Sequence, residues 1–80
     1  MLIVEVSETS AEYDRNVKIP MYSRAGIAEA WLVSLADQWI EVYREPSQVG
    51  YRSIRRMLPG ESLAAQAFPE DPVNVSDFVE

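Results

Sequence analysis

Glu5, Asp14 and Lys18, with Ser7 and Ser10 among them, are the residues of this chain whose types and spacing could do chemistry. A carboxylate and an ammonium brought together suit phosphodiester hydrolysis. The carboxylate would hold a divalent ion that polarises the phosphate and activates water. The lysine would orient the nucleophile or stabilise the charge that builds on the pentavalent phosphorus. Spacing alone does not compel this chemistry. An acid on a strand and a lysine on a helix occur in countless domains, and Glu5 paired with Lys18 or Arg15 merely to neutralise a buried charge accounts for the same residues.

The elements that must position these groups follow from the hydrophobic pattern. Leu2-Ile3-Val4-Glu5-Val6 is β-branched and apolar on both faces apart from Glu5, the pattern of a central, doubly covered strand. An acid within a buried strand costs free energy unless it is paired, so such departures tend to mark function. Glu5 also lies near the strand's C-terminal end, where open α/β sheets place ligands. Ser7 to Ser10 forms a loop. Tyr13, Val17 and Met21, then Tyr22 and Ala25, recur as one helical face and predict helix over most of residues 12–25, which carries Lys18 back across the strand. Pro20 requires a kink or a later start, and Gly26 stands where a left-handed C-cap is expected.

Ala30 to Ser34 is a second apolar strand, so strand, helix and strand form a parallel βαβ unit. After a turn at Leu35 to Gln38, residues 39–44 alternate, with Trp39, Glu41 and Tyr43 on one face and Ile40, Val42 and Arg44 on the other. Glu45 to Gly50 turns the chain into a further strand from Tyr51 to Leu58, which Pro59-Gly60 ends. Residues 61–68 suit a short strand or extended segment, and the remainder is a tail with a single turn near Ser76-Asp77-Phe78. The expected fold is α+β or α/β, a mixed sheet in the order β-α-β-β-β. One helix cannot cover both faces of that sheet, and the first strand keeps an open apolar edge, which invites pairing with another chain. The chain is then a homo-oligomer or binds a partner chain there, or it is the latter part of a larger domain.

Eighty residues make one domain, spanning 1–80. The absence of cysteine and histidine excludes disulfides, the usual zinc sites, and thiol or Ser-His catalysis. A metal here would be a hard cation held by oxygens, such as magnesium. No apolar run approaches the roughly 20 residues of a membrane helix, and the acid within the N-terminal stretch argues against a signal peptide. A cytoplasmic location is the default expectation. The net charge of −6 argues against a large nucleic-acid footprint, yet the charge is segregated. Arg15, Lys18 and Arg24 form one basic group and Arg52, Arg55 and Arg56 another, while every charge from Glu61 onward is negative. On a strand Arg55 faces away from Arg52 and Arg56, which splits the second group and favours a solvated edge over a phosphate groove. Trp31, Trp39, Tyr43 and Tyr51 suit core and cross-strand packing.

The run from Ile3 to Leu35 resembles the Uma-type restriction endonuclease family, within the PD-(D/E)xK nuclease superfamily. The resemblance is carried by Glu5-Val6, Ser10, Tyr13-Asp14-Arg15, Lys18, Tyr22-x-Arg24-Ala25-Gly26-Ile27 and Trp31-Leu32-Val33, and further by Glu41 to Arg44, Pro59-Gly60-Glu61 and Phe68-Pro69. It implies a mixed sheet flanked by helices, a magnesium-dependent DNA endonuclease, and DNA as a partner. Glu5 then matches the second metal-binding acid, Lys18 the lysine that has moved onto the following helix, and Asp14 the family's supporting Asp-Arg pair, with Ser7 and Ser10 as further supporting residues. The family's first acid, in a Pro-Asp element, lies on a strand before the one that carries Glu5. No counterpart precedes Glu5 here, and Ser34 stands where an aspartate is common. The resemblance therefore implies the C-terminal portion of an endonuclease domain lacking the N-terminal helix and strands. Its function is either metal-dependent cleavage or, as an inactive remnant, protein–protein association.

Overall fold

The computed structural model describes residues 1–9 and 11–79. Four strands, β1 (Leu2–Ser7), β2 (Glu29–Ser34), β3 (Trp39–Arg44) and β4 (Ser53–Met57), form a sheet in the order β1-β2-β3-β4. The β1–β2 pair is parallel, as a strand–helix–strand crossover requires, and the other two pairs are antiparallel hairpins. The mixed α+β sheet expected from the pattern is present.

Between β1 and β2 the chain is helical, but not uniformly. A π-helical turn, Asp14–Lys18, precedes α1 (Ile19–Arg24), and the Ile19 N–H bonds to the Asp14 carbonyl five residues back. Pro20 supplies the reason. It has no N–H to offer, and in a regular α-helix its ring would strike the carbonyl of residue 16, so the helix widens just before it. At the other end Gly26 takes φ +77°, the Gly26 N–H bonds to the Ser23 carbonyl and the Ile27 N–H to the Tyr22 carbonyl. This is a Schellman closure, and it fixes the last turn, which carries Tyr22.

The sheet's two faces differ. On the helix side Ala30, Leu32, Trp39 and Tyr43 pack with Ala11, Ile19 and Tyr51. On the other side Trp31, Val33, Ile40 and Val42 pack with Met57, Leu63, Ala65, Val75 and Val79. Leu63 and Ala65 come from the segment expected to be extended, and Val75 and Val79 from what the sequence presents as a tail. Residues after Pro59 build a two-stranded sheet of β5 (Ser62–Leu63), inside the segment expected to be extended, and β6 (Val73–Asn74), within the expected tail, followed by the single-turn α2 (Ser76–Val79) where the turn is expected. That segment covers the face the helix leaves open.

Its cover stops short of β1. The strand expected to be central and doubly covered lies at the sheet's edge, with Val4 42% and Val6 55% exposed on the face away from the helix. The alternation of side chains explains this: Ile3, Glu5 and Ser7 turn toward the helix, while Val4 and Val6 project beyond the reach of the C-terminal segment. No helix among the described residues is long and apolar enough to cross a membrane.

Candidate active site

Glu5, Asp14 and Lys18 meet as the spacing suggests. Lys18 Nζ lies 3.5 Å from Glu5 Oε2 and 3.5 Å from Asp14 Oδ1, so one ammonium bridges a strand carboxylate and a helix carboxylate. The two acids hold the lysine's pKa above its ordinary value, Glu5 more than Asp14. Lys18 is therefore cationic at neutral pH. It can supply positive charge to a phosphate but cannot serve there as a general base.

Tyr22 completes the cluster. Its hydroxyl donates to Glu5 Oε1, and this hydrogen bond, with burial and the negative charge of Glu5, pushes the tyrosine up to about 12. The sequence reading placed Tyr22 on the helix's apolar face and missed this role. The signal was present: Asp14, Lys18 and Tyr22 recur every fourth residue, a stripe that any helix turns to one side. Ser7, at the end of the same strand, is buried, and its carbonyl accepts the Leu35 N–H at 2.9 Å. Ser10 lies outside the described residues.

A second carboxylate sits on the same face of the sheet. Registered pairing places Glu5 beside Leu32, Leu32 beside Glu41 and Glu41 beside Arg56, one row across all four strands. Glu41 Oε1 accepts Arg15 Nε at 3.1 Å and the Tyr43 hydroxyl at 2.7 Å, and Oε2 accepts Arg56 Nη2 at 2.9 Å. Burial alone would raise its pKa, but the bonds from Tyr43 and Arg56 and the two guanidinium charges outweigh burial and hold it below the usual range. Both guanidinium groups lie against Trp39, at 5.4 Å for Arg15 and 4.5 Å for Arg56. Arg15 is thereby assigned to Glu41 rather than to Glu5. Neither this cluster nor the buried Glu29, which bonds Trp31, Arg44 and the Gln66 N–H, was foreseen from the sequence.

Hard divalent cations take six or more oxygens, usually with several carboxylates among them. Among the described residues no group of three or more acids could hold a metal ion. Glu5 already accepts from Tyr22 and faces Lys18, and Asp14 faces the same lysine. The residues present therefore do not by themselves fit a magnesium ion.

With this geometry in place, the comparison with protein families is decisive. The Uma2 model, described as "Putative restriction endonuclease", matches residues 1–76. The chain belongs to the Uma2 family. No curated protein and no solved structure matches it. Membership in the Uma2 family bears out the resemblance carried by the residues around Glu5 and Lys18, and it gives the chain a nuclease lineage. Magnesium is the usual cofactor of restriction-endonuclease-like enzymes, and the donor set here stays short of a complete site for it.

Proposed function

We propose that the chain contributes Glu5 and Lys18 to a DNA endonuclease site, and that the further acid needed to complete a magnesium site comes from another polypeptide segment or a second copy. The observation that carries this reading is the contact of Lys18 Nζ with Glu5 Oε2 at the C-terminal end of a parallel strand, in a member of the Uma2 family. Tyr22 aligns the Glu5 carboxylate and Asp14 steadies Lys18 from its other side. Lys18 keeps its proton and places the ammonium where negative charge develops on phosphorus. Plasmid nicking by the purified chain in magnesium or manganese tests the reading. Glu5→Ala and Lys18→Ala should each lower metal-dependent nicking by about a hundredfold or more. Cleavage that survives both changes overturns it.

A second reading rests on the exposed Val4 and Val6 of edge strand β1. An open, apolar strand edge can pair with a strand of a second copy, which would make the chain an association module with no cleavage of its own. A folded wild-type chain that does not nick DNA but runs as a dimer in sedimentation favours this reading. A stable monomer sets it aside.

A further inference from the structure

The Glu41 cluster is more than a neutralised acid. Two guanidinium groups face one carboxylate, which leaves the set with net positive charge. Arg15 reaches Glu41 through Nε and Arg56 through Nη2, and Glu41 with Tyr43 occupies a minority of the N–H donors that the pair carries. Both arginine side chains remain accessible, 40% for Arg15 and 50% for Arg56. Stacking on Trp39 and anchoring to Glu41 restrict both in advance, so ordering them on a ligand costs little. Beside Arg15 opens a cavity of about 360 Å³, bordered also by Glu41 and by Ile19, Pro20, Tyr43 and Tyr51 among others. The alternation places Arg56 with Arg52 on one face of a strand, opposite Arg55. The structure gives it a partner from the helix instead.

We propose that Arg15 and Arg56 form a clamp for a backbone phosphate of the nucleic acid whose cleavage is assigned above to Glu5 and Lys18. The proposal rests on that nuclease reading for the identity of the ligand. Glu5, Leu32, Glu41 and Arg56 share one row, so the clamp lies two to three strand spacings from Glu5, about 10–14 Å, on the same face. That distance spans a few nucleotides of one strand. A planar guanidinium matches two phosphate oxygens at once, and two of them converging on one position suit a phosphodiester. The neighbouring cavity has room for the attached sugar. Because the chain as a whole carries −6, binding depends on these few contacts rather than on the bulk field. Its salt dependence should therefore be shallow, with a slope of log K against log salt of about −2 for two phosphates, one in the clamp and one at Lys18.

Fluorescence anisotropy of a labelled DNA duplex in EDTA, at several salt concentrations, separates binding from cleavage. The full chain is compared with Arg56→Gln, Arg15→Gln and Arg56→Lys, each checked for folding by circular dichroism. Either glutamine variant should weaken binding about fivefold on unrelated sequences alike and reduce the salt slope by about 1. Arg56→Lys keeps the charge beside Glu41, so it should retain the slope while losing part of the affinity. It also serves if a glutamine variant fails to fold. Unchanged affinity and slope in folded Arg56→Gln, full affinity in Arg56→Lys, or a wild-type chain that does not bind, each overturns the clamp. Binding that falls in Arg56→Gln while the wild type never nicks keeps the clamp and removes the nuclease assignment. Nicking that depends on Glu5 but not on Arg56 does the reverse.

Discussion

 Glu29 and Glu5 are both strand acids, yet their surroundings are opposite in kind. Glu29 lies within the sheet, 3% exposed. One of its oxygens accepts Trp31 Nε1 and Arg44 Nε, each at 2.9 Å, and the other accepts the Gln66 N–H at 2.8 Å. Arg44 in turn donates to the Ala64 carbonyl at 2.7 Å, so a single acid ties β2, β3 and the C-terminal segment together. Glu5 has one hydroxyl donor and an ammonium at the longer distance of 3.5 Å, and its side chain keeps 21% of its surface in water. A carboxylate that serves the fold is surrounded by short, fixed donors. One that could meet a substrate keeps water access and a counter-charge that can be drawn away.

The largest expected effect breaks the first side of that comparison. Glu29→Ala leaves the Arg44 guanidinium and the Trp31 N–H without their acceptor and releases Gln66. Removing one partner of a buried, hydrogen-bonded charge pair costs about 3–5 kcal/mol. A chain of this length has little stability to lose, so urea denaturation should show the variant largely unfolded in buffer. A variant that unfolds at the wild-type midpoint would show that the C-terminal segment is not held through Glu29.

The second expected effect is on function rather than stability. Glu5→Gln keeps an oxygen for the Tyr22 hydroxyl and removes only the charge that faces a partly exposed lysine. Exposed ion pairs contribute little. The urea midpoint should stay close to that of the wild type while metal-dependent nicking is lost. A midpoint that falls as far as that of Glu29→Ala would place both acids in the same structural role and dissolve the distinction.

The legibility of this molecule in its sequence divides along similar lines. The parallel β1–β2 pair, the alternation of β3, the cap at Gly26 and the meeting of Glu5 with Lys18 all follow from local periods and spacings, which depend on residues close in the chain. The edge position of β1 does not, because an apolar strand of five residues looks the same whether its second face is covered or bare. Nor does the role of the last twenty residues, where Leu63, Val75 and Val79 are too widely spaced to show a period yet converge on one face of the sheet. The bonds of Glu41 to Arg15 and Arg56 span 26 and 15 residues, and only the strand register decides them. Alternation already placed Glu41 with Trp39 and Tyr43. The face of the helix that meets them carries Arg15, and that could be known only once the helix had been laid on the sheet.

The smallest expected effect sharpens the other side of the comparison. Tyr22 has its pKa raised from 10 to about 12 in the folded protein, first by its bond to Glu5 and then by burial. A group raised in this way holds its proton more tightly when folded, so its contribution is fully present below pH 10 and is lost as pH rises from 10 to about 12. Lys18, also raised, acts in the same direction, but it is too exposed to contribute much. Urea midpoints measured across this alkaline range should therefore fall for the wild type, and Tyr22→Phe should remove part of that fall, the rest coming from Tyr43 and Tyr51, which burial also raises. The same variant should lower stability only slightly at neutral pH, since Glu5 can turn to water once the hydroxyl is gone. Glu29 has no such recourse. If Tyr22→Phe left the alkaline decline as steep as before, the hydroxyl would not be what orients Glu5, and the proposed site would lose the group that aligns its carboxylate with Lys18.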